Sequence, residues 1–116
     1  MEDRILVSTK KVLGLTEDYT AFDQDVIIHI NAAFSVLTQL GVGPVVGFMI
    51  EDETSVWSDY LTDIIKLNMV RTYIFLKVRM LFDPPQTSFL INAINEQISE
   101  YEGRISIQRE LETWTQ

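Results

Sequence analysis

The stretch "KVRMLFDPPQTSFL", Lys77–Leu90, decides how this chain folds. An apolar run with helical spacing drives straight into Asp83-Pro84-Pro85 and restarts within a few residues. A residue that precedes proline is pushed out of helical geometry, so Asp83 is expected to leave the helix. Pro84 fixes its own φ and lacks an amide donor, which suits a helix start far better than a helix interior, and Pro85 repeats the constraint. Two long helices joined by a rigid corner are therefore predicted.

Upstream of that corner, Leu61, Ile64, Ile65, Val70, Tyr73, Ile74, Val78 and Leu81 form a broad apolar face. They predict a third helix capped by Ser58 or Asp59 and running to about Phe82. At ~1.5 Å per residue it spans roughly 35 Å, and being apolar on more than one side it is expected to be the central element. Downstream, a fourth helix starts near Thr87 or Ser88 with Leu90, Ile94, Ile98, Tyr101 and Ile105 as its stripe. Gly103 lies inside it, at a cost of about 1 kcal/mol relative to alanine.

Further out, Val26, Ile27, Ile30, Ala33, Phe34, Leu37 and Leu40 recur at helical spacing and predict a second helix from about Phe22 to Leu40. Thr20 and Asp23 before it have the spacing of a capping box. Its far end meets a second hard stop, "GVGP", in which Gly41, Gly43 and Pro44 forbid continuation. Asp3 is placed to cap a short first helix through Ile5, Leu6, Thr9, Val12 and Leu13, which Gly14 ends. Between helices two and three, "GFMIEDETSVW" breaks the helical rhythm. It reads either as a small β-hairpin with an acidic tip at Glu51, Asp52 and Glu53 or as an irregular protruding loop. The fold class expected is mainly α, with about four helices and that one small hairpin or loop. Residues 1–104 are read as the helical domain and 105–116 as a tail.

The chain has 116 residues, 47% of them hydrophobic and 22% charged, which is the composition of one folded domain. It holds no cysteine, so disulfides and thiolate metal sites are excluded. The first residues, Met1-Glu2-Asp3-Arg4, place acids where a signal peptide needs bases. The most apolar stretch, Met69 to Phe82, is too short for a bilayer and carries Arg71, Lys77 and Arg79. The expectation is a cytoplasmic chain that does not insert in a membrane.

The formal net charge is −8 and unevenly spread. No lysine or arginine occurs from Val12 to Ile65, where nine acids fall, and Lys66, Arg71, Lys77 and Arg79 follow. This balance argues against a groove that grips nucleic acid.

Little catalytic chemistry is visible. Asp25 and His29, four apart, would share a helix face as two metal ligands, with Asp23 nearby, but His29 is the only histidine and no second ligand cluster follows. First-turn carboxylates favoured by the helix dipole explain Asp23 and Asp25 better. "GVGPVVG" lacks the lysine of a phosphate loop. No enzyme, no metal and no cofactor are expected. Trp57 and Trp114 are large apolar side chains that mark either contact surfaces or ordinary packing. Ile105, Ile107, Leu111 and Trp114 give the tail more apolar surface than a domain this small has obvious partners for.

"EDYTAFDQDVI" (Glu17–Ile27), "HINAAFSVLTQLGVGP" (His29–Pro44) and "VRTYIFLKVRMLFDPP" (Val70–Pro85) together resemble a head–tail connector family of tailed phages and prophages. The resemblance runs from Glu17 to about Glu102 and is specific in the two glycine/proline corners. At Gly103 the family pattern would have a bulky residue. The resemblance implies an all-helical adaptor that assembles as a closed ring, a dodecamer, beneath the portal protein. Such a ring extends the DNA channel, lets DNA pass without specific binding, and presents a face to the next neck or tail-completion protein. Its place would be the virion neck, reached from the host cytoplasm during assembly. By the same resemblance Ile105, Ile107, Leu111 and Trp114 become portal contacts. Glu51, Asp52, Glu53 and Trp57 become contacts to the next neck protein or the channel, and Gly41, Gly43, Pro44, Asp83, Pro84 and Pro85 rigid corners.

A ring subunit needs two different complementary faces, which the acidic stretch and the basic stretch after it would supply. Alternatively, much of that acid lines the channel, where like-charge repulsion keeps DNA from sticking, and the sequence does not choose between the two. The alternative is a small acidic module that occupies the basic surface of a DNA-binding protein, as an antirepressor or inhibitor does.

Overall fold

A computed structural model describes residues 3–111 of the chain, with side chains through residue 107. Four helices form: α1 (Ile5–Val12), α2 (Asp23–Gln39), α3 (Ile64–Phe82) and α4 (Ser88–Leu111), with one 3₁₀ turn at Trp57–Asp59. Among the described residues there is no strand, only an isolated antiparallel bridge between Arg4 and Val56. Of the two readings of "GFMIEDETSVW", the irregular loop is the one that forms.

Helices α2 and α3 are the antiparallel pair on which the rest is laid. Phe34, in the second half of α2, packs on Tyr60 just before α3, with ring centroids 4.7 Å apart. Phe22, just before α2, packs on Phe82 at the end of α3, at 5.5 Å. The predicted stripe of α2 is the face that is buried: Val26, Ile27, Ile30, Ala33, Phe34 and Leu37. Helix α3 buries Leu67, Val70, Tyr73, Ile74 and Val78, and α4 reaches the same core through Ile98 and Ile105.

The expected start of α3 was too early. Asp63, not Ser58 or Asp59, is its cap, its Oδ1 accepting from Ile65 N at 3.0 Å and Lys66 N at 3.1 Å. Asp59 instead closes the 3₁₀ turn by accepting from Val56 N at 3.3 Å. Because the helix begins at Ile64, its first turn projects past the core, and Ile64 and Ile65 are 72% and 80% exposed.

Two further caps differ from expectation. The N-cap of α1 is Arg4, without a side-chain bond, while Asp3 accepts from Trp57 N through its carbonyl at 2.9 Å. The N-cap of α2 is Phe22, also without a side-chain bond. Asp23 turns away to an ion pair with Lys10, whose Nζ is 2.8 Å from Asp23 Oδ1 and donates to Glu17 O at 3.1 Å. Lys10 is only 2% exposed, so these two partners are what make its burial tolerable.

Both corners break the helices where the sequence places them. Gly43 has φ +81, and a Cβ built on it would lie 2.5 Å from Tyr60 Cε1. At the other corner Asp83 leaves the helical region at φ −145, ψ 72. Arg79 Nε donates to Asp83 O at 2.9 Å while Asp83 N donates to Arg79 O at the same distance.

Two substitutions test this account. Gly43→Ala adds a strained left-handed backbone to a collision with a buried ring, and is expected to cost about 2–4 kcal/mol in urea unfolding. Gly103 lies within α4 with open space around its Cβ position, so Gly103→Ala is expected to raise stability by about 1 kcal/mol. A neutral Gly43→Ala, or a destabilising Gly103→Ala, contradicts the packing described.

Candidate functional site

The surface carries several large apolar side chains. Thirteen large hydrophobic side chains are exposed among the described residues, and they gather mainly at the two ends of the α2–α3 pair.

At one end, beyond the last turn of α2, the 41–49 segment turns back along the helix. Asn31 holds it there: its Nδ2 donates to Ile50 O at 2.9 Å and its Oδ1 accepts from Ile50 N at 2.8 Å. This side-chain amide takes the place of a neighbouring strand, satisfying a backbone that has no ladder. Between α2 and the returning chain lies an open groove of about 470 Å³ lined by Asn31, Ser35, Thr38, Gln39, Val46, Gly47, Phe48 and Met49. Val45 and Val46 are 84% and 97% exposed. The acidic tip follows directly, with Glu51, Asp52 and Glu53 all exposed. Thr54 donates to Asp52 Oδ1 from its hydroxyl and its amide, at 2.6 Å and 2.9 Å, and these bonds hold the Asp52 pKa below its ordinary value.

At the opposite end, α3 stops at the Asp83-Pro84-Pro85 corner and α4 begins. Thr87 Oγ1 accepts from Leu90 N at 3.3 Å. Phe89, one position off the buried stripe, points outward and is 80% exposed; Leu90 and Leu81 are half exposed. Tyr19, Phe22, Phe82 and His29 make a chain of edge-on ring contacts beside the corner, at 5.8, 5.5 and 6.4 Å in turn.

Several candidate residues stand elsewhere than the sequence placed them. Trp57 is fully buried and cannot meet a partner from this position. Its Nε1 donates to Ser8 Oγ at 2.9 Å, its ring meets Phe34 and Phe75, and the Arg71 guanidinium lies 5.2 Å over it. Ile105 is likewise fully buried, so the boundary drawn at 104/105 falls inside α4 and inside the core. Ile107 is 59% exposed. Leu111 ends α4, and Trp114 lies outside the described residues.

The simple picture of an acidic face meeting a basic face also changes, because much of that charge is used within the chain. Glu17 is bound by both terminal nitrogens of Arg4, at 2.9 and 3.1 Å. Asp23 pairs with Lys10, Asp59 and Asp63 close turns, Lys77 lies 3.9 Å from Glu102, and Arg79 holds the corner. Glu102 also accepts from the Tyr73 hydroxyl at 2.7 Å; burial, then this carboxylate, push the Tyr73 pKa well above its ordinary value.

Asp25 is exposed and His29 packs on Phe82, and no group of three or more potential metal ligands occurs among the described residues. No helix among them is long and apolar enough to cross a membrane. The surface residues that sequence reasoning passed over are Val45, Val46, Met49 and Phe89, while Ile64 and Ile65 were read as part of the buried face of α3. Phe89 was detectable, since it falls off the Leu90–Ile94–Ile98 stripe.

Compared with known proteins, the chain matches no curated protein and no solved structure. A family model described as phage connector protein matches residues 5–112, nearly the whole chain. The chain belongs to the phage connector protein family.

Proposed function

We propose that this connector is a head–tail adaptor whose copies form a closed ring under the portal and prolong the channel for DNA. The observation that carries the reading is the apolar surface at both ends of the α2–α3 pair, in a chain of a connector family. A chain with different sticky surfaces at its two ends associates head to tail, and such contacts either close into a ring or grow into a fibre. The rigid corners fix the angle between successive contacts, which a closing ring requires.

The net charge of −8 makes such a ring repel the phosphate backbone. DNA then passes along the channel without adhering, as transport demands. The role is structural, with no catalytic step, metal or cofactor. Partners are further copies of the chain, the portal protein on one face of the ring and the next neck protein on the other. The site is the virion neck, reached from the host cytoplasm.

Portal docking falls to the C-terminal segment beyond Ile105. Ile107, Leu111 and Trp114 are its contacts and the buried Ile105 is its anchor in the subunit core. Deleting residues 108–116 is expected to leave the thermal unfolding of the subunit within a few degrees of wild type and to reduce portal binding at least tenfold. Deleting 105–116 removes a core side chain, which costs about 2–5 kcal/mol as truncation of a buried isoleucine does. Equal portal affinity for the 1–107 chain sinks the docking assignment.

The ring itself is tested by electron microscopy of the portal mixed with this chain. Added annular density on one end of the portal is the expected result. A portal unchanged at saturating chain, or a soluble regulator captured in its place, rejects the adaptor reading.

A further inference from the structure

The exposed apolar surface divides into a hole and a knob. The hole is the open groove of about 470 Å³ between the outer face of α2 and the returning 46–49 segment. Its volume leaves room for a large apolar side chain together with neighbouring residues of the element that carries it. The knob is Phe89, at 80% the most exposed aromatic among the described residues, standing on the second residue of α4. The two lie on different faces of the fold: the groove runs along the outer face of the second half of α2, from Asn31 to Gln39, whereas α4, which carries Phe89, packs along α3 and not along α2. One chain therefore cannot fill its own groove with its own Phe89.

We propose that the occupant of this groove is Phe89 of the next copy of the chain, with Leu90 covering its rim. The inference rests on the ring reading above and names the contact that builds the ring. Each copy docked this way still offers one empty groove and one unused Phe89, so the contact repeats until it closes.

The charges agree with this docking. Helix α4 has no acidic residue in its first turn, so the partial positive charge on its first amides is not offset within the helix. The Glu51–Asp52–Glu53 tip leaves the groove directly after Ile50, which Asn31 pins in place. Seating Phe89 in the groove brings that helix end beside those carboxylates, an attraction that also orients the incoming copy. Val45 and Val46, otherwise left in water, flank the same contact.

The test uses the full chain with the portal. Because the chain has no cysteine, Gln39→Cys on the groove wall and Asn92→Cys, three residues along α4 from Phe89, introduce the only thiols. A short bis-maleimide is expected to convert assemblies of the double variant into a ladder of dimers, trimers and higher species. Each single variant is expected to give none. Separately, Phe89→Ser removes a side chain the subunit core does not use. It is expected to keep the wild-type circular dichroism while raising the concentration needed for assembly about tenfold or more.

If wild-type rings form but no ladder appears, or Phe89→Ser assembles like wild type, the groove contact is wrong while the ring reading stands. Dimers from either single variant mean a two-fold contact and also overturn it. Absence of any wild-type assembly, with or without portal, overturns the ring reading itself.

Discussion

The indole of Trp57 is the point at which this fold is tied together. It comes from a 3₁₀ turn between two long helices, yet it reaches every one of the first three. Its N–H is bonded to Ser8 of α1, its ring lies against Phe34 of α2 and Phe75 of α3, and Arg71 covers the outer face. A buried indole needs a hydrogen-bond acceptor, and Ser8 supplies one while donating its own proton back to the backbone at Arg4 O and Ile5 O. On either side, Ile5 N bonds to Ser55 O and Trp57 N to Asp3 O, so α1 is fixed to the loop along its first turn. Phe34, Phe48 and Tyr60 extend the same aromatic cluster to the Gly43 corner. With the centre held this firmly, both ends of the α2–α3 pair can carry apolar side chains that contribute nothing to the subunit's own stability.

That division of labour is what the proposed assembly requires of a subunit. The interior is complete without the exposed residues: Val46, Ile65 and Phe89 could all be polar without opening a cavity. In the ring proposed above, contacts between copies would cover them. The buried Lys10, held by Asp23 and the Glu17 carbonyl, and the Arg4–Glu17 pair do the opposite task. They hold the 13–22 loop onto α1, so that the end bearing Phe22 and Phe82 keeps its shape.

Much of this was legible in the sequence, and the failures have physical causes. The two corners, the stripe of α2 and the late start of α4 follow from proline, glycine and a 3.6-residue period, which act locally. Trp57 was misplaced because its surroundings in sequence are acidic and irregular; only tertiary contacts from three helices bury it. Ile64 and Ile65 read as core because apolar spacing says nothing about how far a helix overruns its neighbours. Ile105 looked like the beginning of a tail since Gly103 precedes it, yet the helix continues through that glycine and the side chain reaches the core. The Asn31–Ile50 clasp carries no sequence signal, because the two residues are separated by a loop whose path is set by Gly43 and Tyr60.

The central claim is that both exposed ends are covered together, by one kind of contact between copies. Hydrogen–deuterium exchange of the free chain and of the chain assembled on the portal measures this directly. The account predicts that segments 45–51 and 86–92 gain protection in parallel, while the amides around Trp57 are already protected in the free chain and do not change. Protection of one segment without the other, or slow exchange at both in the free chain, would contradict it.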